Sequence, residues 1–160
     1  MNRYATPRAW WKSQASAANA MAPWPSLVNR LIAEKVVHPD ASAETARLWA
    51  FGMLIGNTDM HHGNLSFISS HGRPYHLAPA YDILPMGFAP KASGAMANEL
   101  TSLTLSDVVS ADTWREALGL AREFFTRASA CDGFSANFTP CLEAIGRHIN
   151  EAGSRIERLG

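Results

Sequence analysis

Lysine is scarce in this chain: Lys12, Lys35 and Lys91 are the only ones in 160 residues, and the basic total of 14 is balanced by 14 acidic groups. A formal net charge of zero offers no electrostatic footprint for nucleic acid or an acidic membrane, so direct nucleic-acid binding is not expected. Two cysteines, Cys131 and Cys141, are too few for a disulfide framework or a thiolate metal centre, and both read as small buried hydrophobes in a reducing compartment. No apolar run is long enough for a bilayer, and the first residues lack the apolar stretch of a signal peptide. A cytoplasmic protein without membrane attachment is expected. No Gly-x-Gly-x-x-Gly occurs, none of the lysines stands in a β-branched run, and there is no internal repeat or low-complexity tract.

What the chain does have is enough apolar content, 47% against 18% charged, to bury the core of one globular domain. Its most informative stretch is residues 57–82, where polar and titratable groups crowd between apolar segments. Residues 65–69 and 74–78 nearly alternate apolar and polar side chains, and Ser70-His71-Gly72-Arg73 between them is turn chemistry, so a short β-hairpin is expected. A hairpin returns the chain to its start. Asp59 and Asn64 before it and Asp82 after it should therefore meet at one end of a small sheet. Asp59 and Asn64 are five residues apart, a spacing that a helix would rotate to different faces, so they belong on a loop, and Gly63 should supply unusual backbone angles there. Two carboxylates and an amide oxygen suit a hard cation such as magnesium, with positions left for phosphate oxygens.

Around this stretch the pattern is mainly helical. Residues 1–25 are rich in Ala, Ser and Pro, with Trp10, Trp11 and Trp24, and should be irregular. Pro25-Ser26 opens a helix reaching about Val37, with Leu27, Leu31 and the valines inward. Asp40 or Ser42 caps the next, in which Ala46, Trp49, Ala50, Met53 and Leu54 form one stripe. Residues 85–107 show little periodicity; Ser93, Thr101, Ser102 and Thr104 are candidate phosphate acceptors in this long loop. Asp112 caps a helix with Trp114, Ala117, Leu118, Ala121, Phe125 and Ala128 on one face, ended by Asp132-Gly133. Ser135 or Thr139-Pro140 starts the last helix, whose Leu142, Ile145, Ile149, Ala152, Ile156 and Leu159 recur every three or four residues. Those stripes read as core, and the heptad-like spacing of the last leaves open a helix partner in an oligomer.

Asn57-Thr58-Asp59-Met60-His61-His62-Gly63-Asn64 followed by Leu77-Ala78-Pro79-Ala80-Tyr81-Asp82-Ile83-Leu84-Pro85 resembles the catalytic loop and metal-binding segment of the HipA-like serine/threonine kinases of bacterial toxin–antitoxin systems. Ile83 and Leu84 after Asp82 separate it from lipid kinases, which carry Asp-Phe-Gly there. The resemblance implies a protein-kinase-like C-terminal lobe over residues 26–160, with a catalytic loop at 57–64, the hairpin at 65–78 and a metal-binding segment at 79–85. It further implies Asp59 as catalytic base, His61 as a neighbour of the transferred phosphate, and Asn64 and Asp82 as ligands of magnesium and, through it, ATP. A protein hydroxyl is the implied acceptor, and a HipB-like antitoxin or a separate N-terminal lobe the implied partner. Many members of the group carry a lysine immediately before the metal-binding Asn, where this chain has Gly63. The glycine-rich loop and paired strand lysine of a complete kinase are also missing.

Two other readings stand beside this one. The chain could be a noncatalytic binding module with the same fold. Alternatively, Asp59, His61 and His62, with His76 and Asp82, could hold the metal of a phosphoesterase. His38, His71 and His148 read as surface or loop residues.

Overall fold

A computed structural model describes residues 22–90, 92–95 and 97–160, together with the backbone of residues 4 and 5. Trp10, Trp11, Lys12, Lys91 and most of the segment expected to be irregular lie outside the described residues. Among the described residues the protein is mainly α, with four helices and a small antiparallel sheet. Among the described residues, no helix is long and apolar enough to cross a membrane. The chain divides into two compact units, Met1–Trp49 with Met60–Asp82, and Ala50–Asp59 with Ile83–Gly160.

In the first unit, helix α1 (Trp24–Ala33) starts on Pro25, whose missing N–H costs nothing in the first turn. It buries Trp24, Pro25, Val28 and Leu31. It stops four residues short of the expected Val37. Lys35 takes a left-handed φ of 57°, its N–H reaches the Ile32 carbonyl and that of Val36 the Leu31 carbonyl, which is a Schellman ending with lysine where glycine is usual. The two valines beyond are released to extended structure: Tyr75 N–H donates to the Val36 carbonyl and His38 N–H to the Tyr75 carbonyl, a parallel bridge at Val37. Helix α2 (Ala41–Leu54) follows at once.

The expected hairpin is present but short. Strands β2 (Phe67–Ile68) and β3 (His76–Leu77) pair antiparallel with Phe67 opposite Leu77, and β1 (Tyr4–Ala5) adds a third strand on β2 that the sequence pattern did not announce. Phe67 and Leu65 face the core at 3% and 6% exposure. Gly72, at φ 101°, supplies the left-handed turn.

In the second unit, α3 (Ala111–Ser129) and α4 (Thr139–Ile156) pack along each other. A Cβ on Gly146 would meet the Phe125 ring and one on Gly153 would meet Leu118, so position numbers run in opposite senses and the helices are antiparallel. Trp114, Ala117, Leu118 and Ala121 are buried on α3, and Cys141, Ala144, Ile145, Ile149, Ala152 and Ile156 on α4. Each fully buried isoleucine contributes about 1.5–3 kcal/mol of transfer free energy. Of the last stripe, Ile145, Ile149, Ala152 and Ile156 are thus buried within the chain, and Leu142 and Leu159 are half-buried. Ser110, rather than Asp112, caps α3, its hydroxyl accepting the Thr113 N–H at 3.2 Å. Cys131 is exposed, contrary to the expectation of a buried hydrophobe, because it falls in the connection after α3. His148, expected at the surface, is buried at 6% exposure and its Nε2 lies 3.2 Å from the Met53 carbonyl, since it sits inside the apolar stripe beside Ile149.

Part of the long stretch before α3 is tied down by arginines of α4. Arg155 donates to the Leu103 carbonyl at 2.7 Å and to Ser102 Oγ at 2.9 Å, and Arg147 pairs with Glu99 at 2.8 Å. Leu103 and Val109 are buried beneath it.

Candidate functional site

The second unit positions Asp59 through the end of α2. Gly56, at φ 79°, closes that helix: its N–H donates to the Met53 carbonyl and that of Asn57 to the Gly52 carbonyl, a second Schellman ending. Asn57 is thereby buried at 3% exposure, and its Oδ1 accepts the Asp59 N–H at 2.9 Å, folding the loop back on itself in an Asx turn. The chain returns to brace this corner from Met86–Phe88, a single 3-10 turn whose Gly87 N–H donates to the Gly56 carbonyl at 2.9 Å. A Cβ on Gly87 would stand 3.0 Å from that carbonyl oxygen and 2.5 Å from a methyl of Leu100, so the close approach requires glycine. Asp59 itself is half-buried.

The first unit holds the other three predicted residues. Residues His62–Asn64 form one 3-10 turn, capped by His61, whose Nδ1 accepts the Gly63 N–H at 2.9 Å. The neutral imidazole then carries its proton on Nε2 and is a donor there. Gly63 has a different role from the one expected. It is not among the positive-φ residues; instead, a Cβ would lie 2.8 and 2.9 Å from His61 ring atoms, so glycine makes room for the imidazole. The turn is fastened to the start of α1 twice: Trp24 Nε1–H donates to the His61 carbonyl at 3.1 Å, and His62 Nε2 donates to the Ala22 carbonyl at 2.8 Å.

Tyr81 joins this turn to the segment after the hairpin. Its hydroxyl donates to the Gly63 carbonyl at 2.9 Å and lies 2.8 Å from Ser66 Oγ, which holds the residue before Asp82 beside the residue before Asn64. Asp82 is exposed and adopts a left-handed φ of 55°, a conformation that costs a non-glycine residue about 1–2 kcal/mol and that aspartate tolerates better than most. His61, Asn64 and Asp82 are thus gathered in one unit; Asp59 belongs to the other. Tyr81 and Asn57 both act by backbone hydrogen bonds and carried no role in the sequence reading. The Tyr81→Phe variant is expected to lose about 1 kcal/mol of stability, measured as a lower urea midpoint, and to raise the hydrogen-exchange rate of the Asn64 and Leu65 amides.

His76 goes elsewhere. Its Nδ1 lies 2.9 Å from Asp40 Oδ2, and His38 Nδ1 lies 3.0 Å from Asp40 Oδ1. The ligand set imagined for a phosphoesterase therefore loses His76 to a separate cluster, and His38 is part of that cluster rather than an idle surface residue. Desolvation raises the Asp40 carboxyl, but hydrogen bonds from His76 and His38 and the attraction of both imidazoles together outweigh it and hold the group below its usual 3.8. Asp40, immediately before α2, therefore spends its carboxylate on two histidines.

Comparison with solved structures returned no significant match. Toxin YjjJ of Escherichia coli (strain K12) is 34% identical over 137 residues, which cover 86% of this chain and 31% of the toxin. The chain thus spans less than a third of that relative's length. The sequence model of the HipA-like C-terminal domain matches residues 11–149, a span that takes in the 57–64 loop, Tyr81 and Asp82. By that match, the chain belongs to the HipA-like C-terminal domain family.

Proposed function

We propose that this chain is the C-terminal lobe of a HipA-like serine/threonine protein kinase acting in the cytoplasm, a toxin component that modifies a protein hydroxyl. The observation that carries the reading is the Tyr81 hydroxyl bond to the Gly63 carbonyl, which couples the turn bearing His61 and Asn64 to the segment bearing Asp82. The donor set fits magnesium, since the Asn64 amide oxygen and the Asp82 carboxylate are hard ligands and no thiolate is among them. Asn64 and Asp82 would hold the ion, and it would supply positive charge to offset the negative charge that develops on the phosphate oxygens.

The residues of the chain then divide the work. Asp59, oriented through its own N–H on Asn57, accepts the proton of the attacking serine or threonine hydroxyl. The hydroxyl oxygen forms a bond to the γ-phosphorus as the bridging bond to the β-phosphate breaks and ADP leaves. His61 offers its Nε2–H to the transferred phosphoryl oxygens. The glycine-rich loop and strand lysine that cover ATP in a complete kinase would come from another segment or chain, since no Gly-x-Gly-x-x-Gly occurs in this sequence and no lysine stands in a β-branched run.

Calorimetric titration of ATP into the purified chain, with and without magnesium and beside Asp82→Ala, tests the proposal. Magnesium-dependent binding that the variant loses is the expected result. Binding that ignores both magnesium and the substitution would remove Asp82 from the site.

A further inference from the structure

We propose that His38, Asp40 and His76 form a binding site for a divalent transition-metal ion of the zinc class, apart from the residues assigned to magnesium above. The inference stands on its own geometry and does not depend on phosphoryl transfer.

Three residues from two separate stretches of the first unit bring one ligand atom each within 4.8 Å of the others. Both imidazoles turn Nδ1 toward the same carboxylate, at 3.0 and 2.9 Å, one on each oxygen. In a tetrahedral zinc site with bonds of about 2.0–2.1 Å, neighbouring ligand atoms stand about 3.3 Å apart. The atoms in contact therefore need to open by only tenths of an ångström. At each short contact a proton or a cation must lie between two lone-pair-bearing atoms.

The backbone sets this arrangement before any ion arrives. The bridge at Val37 and Tyr75 lays His38 alongside β3, where His76 follows Tyr75 directly. The first turn of α2 closes over the same corner, with Ala41 N–H on the His38 carbonyl at 3.1 Å and Ser42 N–H on that of Pro39 at 3.2 Å. The two rings stand 4.7 Å apart at a 31° tilt. Two imidazole nitrogens and one carboxylate oxygen select zinc, nickel or cobalt over magnesium. Side-chain exposures of 43%, 54% and 53% for His38, Asp40 and His76 leave the remaining coordination positions to water. An ion held there pins the hairpin strand to the start of α2 and, binding only the folded form, stabilises this unit.

The test is calorimetric titration of zinc chloride into the full 160-residue chain in magnesium-free buffer, with cobalt(II) absorption as a second readout. The parent is expected to bind one ion per chain, to raise its thermal midpoint in zinc, and to give visible cobalt bands. His38→Gln or His76→Gln should weaken binding by at least the roughly tenfold that loss of even a supporting partner costs, and the double variant should abolish it. Far-UV circular dichroism confirms that these exposed substitutions leave the fold intact. A folded parent that takes up no zinc, or a double variant that binds as the parent does, overturns the proposal.

Discussion

Alanine in place of Asp59 is expected to slow phosphoryl transfer by about 10²–10⁴-fold, the contribution of a positioned general base, equivalent to about 2.7–5.4 kcal/mol of transition-state stabilisation. Binding of magnesium-ATP should be nearly unchanged, because the proposed metal ligands are Asn64 and Asp82. Folding should be nearly unchanged too. The bond that shapes the loop uses the Asp59 backbone N–H on Asn57 Oδ1, and alanine keeps that donor. Transfer of a labelled γ-phosphoryl group to protein hydroxyls, measured beside calorimetric nucleotide binding, separates this variant from Asp82→Ala, which should lose binding first. An Asp59→Ala chain that transfers phosphate at the parent's rate would falsify the assignment of the base.

The largest expected loss of stability comes from Gly56→Val. Position 56 sits at φ 79°, where a β-branched side chain is strained, and a Cβ there would lie 2.5 and 2.7 Å from the two methyls of Leu100. The left-handed backbone costs about 1–2 kcal/mol and forcing Leu100 aside about 1–3 kcal/mol more. That is a large share of the roughly 5–15 kcal/mol that holds a domain folded. Urea denaturation should show a lower midpoint, with Gly56→Ala intermediate. Shortening Leu100 to alanine in the Gly56→Ala background should recover part of the loss, since it removes the overlap and leaves only the backbone strain. Absence of that recovery would mean that Leu100 already yields without cost.

The helices could be read from the sequence wherever burial follows a 3.6-residue period, as it does for Trp114 to Ala121 and for Ile145 to Ile156. The reading failed where one local rule had several equally good candidates. Ser110 and Asp112 are both sound caps two residues apart, and the Ser110 hydroxyl is the one that reaches Thr113. It failed at Val36 and Val37 because their bridge partner, Tyr75, lies far along the chain. For the candidate site, the sequence pattern pointed to Asp59, Asn64 and Asp82 through the expected hairpin, and to His61 only through the resemblance to HipA-like kinases. It could not identify Asn57 and Tyr81, whose parts depend on backbone partners that become neighbours only on folding. His148 did carry a signal: it stands three residues after Ile145 and next to Ile149, inside the apolar stripe.

The indole of Trp24, only 1% exposed, donates its N–H to the carbonyl of His61. A fluorophore is therefore wired to the main chain of the loop on which the histidine sits. Any event that shifts that carbonyl alters the polarity and hydrogen bonding felt by a ring sheltered from bulk water, and so its emission. The loop carries its own optical reporter, readable without attaching a dye.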